Sequence, residues 1–408
     1  MLRAALMLLM LTATGCVLTD GVRRSSLPIE VREARLIDAS PVKSTYEPID
    51  PQMILALRNS LRKSCELKQV EHGEKHLPLN VLAISGGGAY GAFDAGVLQG
   101  WSESGSRPTF DVVTGVSTGA LIATYAFLGP EYDAYVRDAY VNSRAEDIFK
   151  TLPLITLIRS DSLASSRPLK KRIDDAITPE LLKKVAGEHS KGRRLYVGTT
   201  NLDTRRFVIW DMGAIATGGQ PESVALYRKI ILASSSVPGF LPPVLIDVEV
   251  DGKKYQELHV DGGTTAAVFV PMSLAKCDPR KLARRPGSCV YVISSGKLYA
   301  DTETVKRQFA HITLDAITAM LYAGSRNDIF RIFNMALLCG MDFQLIAVPQ
   351  EFPLNQDSFA FDPAELKRLF QLGYEMGKTR QGWRQTPPGA EVTEQTLPRT
   401  SVQFKTEK

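Results

Sequence analysis

The sequence predicts an α/β protein on a mostly parallel sheet, and three observations carry that prediction. The short apolar run Leu79-Asn80-Val81-Leu82-Ala83-Ile84 ends in Ser85 and three glycines, and a helical stretch from Ala89 to Trp101 follows. A second run, Phe110-Asp111-Val112-Val113, leads through a tight turn into a helical stretch from about Thr118 to Phe127. Apolar runs of this length without alternation fit strands buried on both faces, and two strand–turn–helix units in succession argue parallel pairing. Helix–strand alternation then continues to residue 378, so one domain over residues 79–380 is simpler than two.

Composition narrows the class. The chain has 408 residues, 44% hydrophobic and 23% charged, which excludes disorder along its whole length, a collagen-like repeat and a multi-span membrane protein. Lys and Arg number 49 against 44 Asp and Glu. A net charge of +5 with no long basic run does not indicate nucleic acid, although it is compatible with an anionic membrane surface.

Taken in order, residues 1–15 read as an export signal. Arg3 precedes an apolar run from Ala4 to Leu11, too short to span a bilayer, and small residues Ala13 and Gly15 lead to Cys16. Ala13-Thr14-Gly15-Cys16 resembles a bacterial lipobox, with Ala13 where Leu is usual. The resemblance implies that Cys16 is lipidated and becomes the mature N-terminus. Val17, in place of the Asp that marks inner-membrane retention, implies the outer membrane, facing the periplasm. Residues 16–50 are polar, contain Pro28, Pro41 and Pro48, and read as a tether. Residues 51–78 form an N-terminal helical segment, with Met53, Leu55, Leu57 and Leu61 at helical spacing.

Within the domain, further strands are expected at Arg194–Thr200, Arg206–Asp211, Tyr255–Val260, Val290–Ser294 and Met341–Val348. Helices are expected at Ser223–Ala233, over 305–338 in two segments, and from Asp362, a capping residue before Pro363, to Lys378. Residues 381–408 read as a polar, disordered tail. Among Cys65, Cys277, Cys289 and Cys339 there is no CxxC pair, so no zinc site is expected. In an oxidising compartment Cys277 and Cys289, flanking a Pro/Arg/Gly-rich loop, are the favoured bridge, and four buried thiols are the equal alternative.

Three elements carry chemistry. Gly115-Val116-Ser117-Thr118-Gly119 is a G-x-S-x-G pattern between a strand and a helix, where the turn needs Gly115 and Gly119 for lack of bulk and presents Ser117 at the carboxyl edge of the sheet. The helix behind it favours developing negative charge. Gly86-Gly87-Gly88-Ala89-Tyr90-Gly91 also joins a strand to a helix. Its amides suit either a nucleotide phosphate, for which the Walker lysine is missing and only the spacing of Gly86, Gly88 and Gly91 speaks, or the oxyanion of acyl transfer. Asp261-Gly262-Gly263 ends a strand, and the two glycines allow its carboxylate to approach another loop closely. It serves as a base if burial raises its pKa, or as a turn cap. Of the five histidines His259 alone adjoins a motif, which keeps a Ser-His-Asp triad open.

In this order the three elements resemble the patatin-like phospholipase family, over roughly residues 80–300. Ala233-Ser234-Ser235-Ser236-Val237-Pro238-Gly239-Phe240-Leu241-Pro242-Pro243 and Thr199-Thr200-Asn201-Leu202-Asp203 resemble further family segments. The resemblance implies a three-layer α/β/α fold and a serine acyl hydrolase of phospholipids or lysophospholipids without metal or cofactor. Ser117 would be its nucleophile, Asp261 its base, and Gly86, Gly87 and Gly88 its oxyanion hole. Tyr90 stands where the family often has Arg or Lys, which removes a positive side chain beside the loop. A transacylase using the same dyad and a non-catalytic lipid- or partner-binding lipoprotein are the alternatives.

Overall fold

The two apolar runs become neighbouring parallel strands in the centre of one large sheet. The computed structural model describes residues 24–31, 42–46, 50–72, 78–153, 160–271, 287–354 and 357–390. The strands are β1 (Lys43–Thr45), β2 (Asn80–Ile84), β3 (Val112–Val116), β4 (Lys150–Thr151), β5 (Ala164–Ser165), β6 (Arg194–Asn201), β7 (Arg206–Asp211), β8 (Val244–Val250), β9 (Lys253–Asp261), β10 (Cys289–Ser294) and β11 (Asp342–Ala347). The helices are α1 (Pro51–His72), α2 (Gly91–Glu103), α3 (Thr118–Leu128), α4 (Asp133–Val141), α5 (Ala145–Ile148), α6 (Arg167–Ala176), α7 (Pro179–Ser190), α8 (Met212–Thr217), α9 (Pro221–Ser234), α10 (Phe309–Leu338) and α11 (Pro363–Thr379).

The sheet runs β1-β7-β6-β3-β2-β10-β11, parallel from β6 to β11 and antiparallel at β7 and β1. Every residue of β2 and β3 is buried, as their unbroken apolar sequence requires. Helices cover both faces. Met53, Leu57 and Leu61 of α1 join Ile329, Ile332 and Met335 of α10 on one side, and α2, α3, α9 and α11 close the other, giving the three layers expected.

The edge of β6 that faces β3 matters most. β3 pairs with it only as far as Val116↔Gly198, and β9 then takes over antiparallel at Thr199↔Asp261. The end of β3 and the end of β9 therefore meet on one strand, and Gly262 passes so close that a Cβ there would lie 2.7 Å from the Gly198 carbonyl oxygen.

Several expectations need correction. Residues 305–338 hold one helix, α10, rather than two. The strand β8 and the helices between 133 and 190 were not anticipated; β8 follows Pro242-Pro243 and leaves much of its length half-exposed, so it lacks the apolar run that marked β2. The tether reading of 16–50 fails where the chain is described: Lys43–Thr45 adds a strand to β7, Arg24 pairs with Asp203, and Gln256 N–H donates 2.7 Å to the Ser25 carbonyl. The tail also starts later than 381, because Arg384 pairs with Leu345 and the Trp383 ring lies 4.8 Å from Trp101. Cys289 is a free buried thiol in place of the expected bridge. Its expected partner Cys277 lies outside the described residues, as do Cys16, the export signal, His76 and residues 391–408.

Candidate active site

Ser117 occupies the turn between β3 and α3 with φ 55° and ψ −124°, a conformation that costs a non-glycine residue about 1–3 kcal/mol and lifts the side chain out of the sheet. The turn closes because its flanks are bare: a Cβ on Gly115 would lie 2.3 Å from the Gly119 carbonyl oxygen, and one on Gly119 2.4 Å from that of Ile84. Ser234, fully buried at the end of α9, holds the turn in place. Its hydroxyl accepts from Ser117 N–H at 2.9 Å and donates to the Gly198 carbonyl at 2.7 Å.

Asp261 ends β9 against this turn. Its Oδ1 accepts from Gly263 N–H at 2.7 Å, and the carboxylate faces the Ser117 hydroxyl. Burial drives the carboxyl up to about 7, with the Ser117 hydroxyl and the Gly263 amide working in the opposite direction. The Asp-Gly-Gly ending thus caps its own turn and faces the serine at once.

The glycine loop lies on the other side of Ser117. Gly88 adopts φ +56° and its carbonyl accepts from Thr118 Oγ1 at 2.7 Å, which ties the loop to the start of α3. Gly91 lets α2 begin against α4: a Cβ there would lie 2.6 Å from the Tyr140 ring. Gly86 N–H donates to the Ala267 carbonyl at 3.1 Å, so its expected place among the oxyanion donors is corrected: its amide is spent on holding the loop. Among the described residues, the amides of Gly87, Gly88 and Thr118 donate to no group. Behind the loop, fully buried Asp94 lies 2.5 Å from Ser295 Oγ, and Ser295 N–H donates to Ser85 Oγ at 2.8 Å. Burial pushes the Asp94 carboxyl well above its usual range.

His259 takes no part. Its Nδ1 lies 2.9 Å from Thr199 Oγ1 and its Nε2 3.1 Å from Glu257 Oε2, so both ring nitrogens are committed away from Ser117. Thr199 Oγ1 also accepts from Trp210 Nε1 at 2.8 Å, and Glu257 pairs with Lys43, so the histidine belongs to a network that binds the edge strands together.

Ser117, Thr118 and Gly88 open onto a cavity of about 140 Å³. Its wall is mostly apolar, with Leu121, Ile122, Ile173 and Phe361 among the lining. Among the described residues Arg172 is the one charged lining residue, held by donation to Ser143 Oγ and the Ala139 carbonyl, each at 2.6 Å. Phe359 and Phe361 reach the cavity from a segment far along the chain, anchored where the Ser358 carbonyl accepts from Ala89 N–H at 2.8 Å. Sequence reasoning missed Arg172, Asp94 and these phenylalanines. Only the serine run before Val237-Pro238 signalled Ser234.

A hydroxyl facing a buried carboxylate, beside unspent amides at a helix N-terminus and an apolar cavity, defines a site suited to acyl transfer. Residues 82–274 match the family of patatin-like phospholipases, a family of lipid acyl hydrolases. Compared with curated proteins by sequence, the chain matches none. Among solved structures it is similar to VipD from Legionella pneumophila, at 13% identity over 77% of this chain and 68% of that one, with a TM-score of 0.36. It is also similar to human GIVD cytosolic phospholipase A2, at 11% identity over 84% of this chain, with a TM-score of 0.36; the chain spans 65% of the length of that protein.

Proposed function

We propose that the protein is a serine acyl hydrolase that cleaves fatty-acyl esters of phospholipids or lysophospholipids through a dyad of Ser117 and Asp261. The observation that carries the reading is the meeting of the Ser117 turn with Asp261 at one edge of β6, where burial raises the carboxyl to about 7 and the Ser117 hydroxyl acts on it. Such a carboxylate is a competent base near neutrality, where an ordinary Asp near 3.9 is a poor one.

Asp261 takes the Ser117 proton as the oxygen attacks the ester carbonyl. The oxyanion forms against the amides of Gly87 and Gly88, with the positive end of α3 beneath it. Asp261 returns the proton to the leaving alcohol. Water then attacks the acyl-enzyme, giving its proton to Asp261, and Ser117 leaves with that proton restored. The cavity accepts the start of the acyl chain; its volume of about 140 Å³ resembles the ~150 Å³ apolar cavity that holds benzene, which favours short soluble esters as assay substrates. Arg172 supplies on that wall the positive charge missing at Tyr90, and supports a preference for a phosphate-bearing substrate.

Labelling with a fluorophosphonate tests the reading. Covalent modification of Ser117, lost in Ser117→Ala, supports it; a folded Ser117→Ala protein with undiminished esterase activity overturns it. Lipidation at Cys16 and attachment to the outer membrane are part of the same proposal. Mass spectrometry of the mature N-terminus decides that part, since an unmodified residue downstream of Cys16 is incompatible with it.

A further inference from the structure

α10 is far longer than its place in the sheet requires. It spans 30 residues, whereas the strand it leads into, β11, has six. Its second half packs normally, with Ile329, Ile332, Met335 and Ala336 buried against the sheet. Of the described side chains from Phe309 to Asn327 none is buried. The level at which the helix leaves the body is set by two hydrogen bonds: Asp328 accepts at 2.8 Å from the N–H of Ala267, whose carbonyl holds Gly86, and Arg326, one half-turn earlier, donates at 3.0 Å to the Leu298 carbonyl. From Tyr322 back to Phe309, at about 1.5 Å per residue, α10 therefore projects about 20 Å past the carboxyl edge that carries Ser117 and Asp261.

The projecting part has the wrong surface for water. Phe309 is 71% exposed, Met320 72%, Leu321 54% and Ile312 52%. Phe309, Ile312 and Met320 fall within about 80° of one another around the helix and Leu321 flanks them, so the projection presents one broad, exposed apolar face, as a helix lying in a membrane interface does. No helix among the described residues is long and apolar enough to cross a membrane, α10 included. Between Val305 and Arg326 the chain carries Lys306, Arg307 and Arg326 against the single acid Asp315, and Lys306 and Arg307 are exposed at the foot of the projection. Apolar residues flanked by cations match the layering of an anionic membrane surface, with acyl chains inside and phosphates above.

We propose that residues 305–321 are a membrane-docking element, in which the first half of α10 enters the interfacial layer of an anionic bilayer and brings the Ser117 edge onto the lipid. Position, surface and charge all bear on this: the element grows from the edge that presents the serine, and the proposal rests on the lipid-hydrolase reading only for its biological purpose.

The test separates docking from catalysis and from any lipid on Cys16. In full-length Ser117→Ala protein, Met320→Trp and Leu337→Trp are made separately, Leu337 being 59% exposed near the opposite end of the helix. With vesicles of phosphatidylglycerol and phosphatidylcholine, Met320→Trp should blue-shift and be quenched by brominated acyl chains, and Leu337→Trp should do neither. Vesicles of phosphatidylcholine alone, or Lys306→Gln with Arg307→Gln, should weaken the response several-fold. In the Ser117 enzyme, Phe309→Glu with Met320→Glu should leave hydrolysis of a short soluble ester unchanged and lower hydrolysis of vesicle lipid about tenfold or more. Equal quenching at both positions, no response in protein that sediments with vesicles, or a blue shift that follows protein concentration without lipid, as a second copy would cause, overturns the proposal. Loss of esterase activity in the parent enzyme would overturn the hydrolase reading and leave the quenching result standing.

Discussion

The carboxylate of Asp261 faces the hydroxyl of Ser117, although one ends β9 and the other follows β3, far apart in sequence. They meet because β3 and β9 share one edge of β6, Val116 ending opposite Gly198 and Asp261 beginning opposite Thr199.

The first consequence is a pH profile. Only the ionised carboxylate can take the serine proton, and burial places its pKa at about 7. kcat/KM on a neutral short ester should rise about tenfold per pH unit well below that value and level off above it. A flat profile between about pH 5 and about pH 8 would show that Asp261 is not the base.

Stability should move the other way. The folded pKa of about 7 exceeds the ordinary aspartate value of about 3.9, so the folded protein holds this proton more tightly than the unfolded chain. The contribution is fully present below the unfolded pKa and is lost as pH rises through about 7, at about 1.4 kcal/mol for each unit of difference. Asp261→Asn should therefore raise Tm above the parent at about pH 8, converge with it near pH 4, and cut kcat by roughly 10³- to 10⁴-fold. Melting curves of both proteins across that range check the sign.

Ser234→Ala leaves the Ser117 amide without its acceptor in a buried site. The loss should cost about 1–3 kcal/mol of stability and lower kcat, with little change in KM, since the cavity wall is untouched. Activity and unfolding midpoint equal to the parent would remove Ser234 from the support of the turn.

His259→Ala should destabilise the protein by disconnecting Thr199 from Glu257, and the folded fraction should retain a near-parental kcat. Activity as low as that of Ser117→Ala in a folded His259→Ala enzyme would establish a triad instead.

Burial favours the neutral form of Asp94, so Asp94→Asn, which keeps a partner for Ser295, should retain more activity than Asp94→Leu, which removes that partner and should slow the enzyme by loosening the glycine loop. Asp94→Asn as damaging as Asp94→Leu in folded protein would show that the charge matters.

Much of the site was legible because it is written locally. The unbroken apolar runs of β2 and β3 reveal buried parallel strands, and G-x-S-x-G and the glycine run are short patterns whose backbone geometry depends on their own small residues. What local pattern cannot encode is contact between distant segments. Whether Asp261 caps a turn or faces a serine depends on where β9 joins β6, and Gly86 lost its expected role to the carbonyl of Ala267, which no spacing foretells. His259 adjoined a motif in sequence, yet Thr199 and Glu257 claim it in space. The Ser117–Asp261 meeting and the projection of α10 beyond the sheet, which the residues alone left open, follow from strand register and from helix length measured against a short strand, and both are properties of the assembled fold.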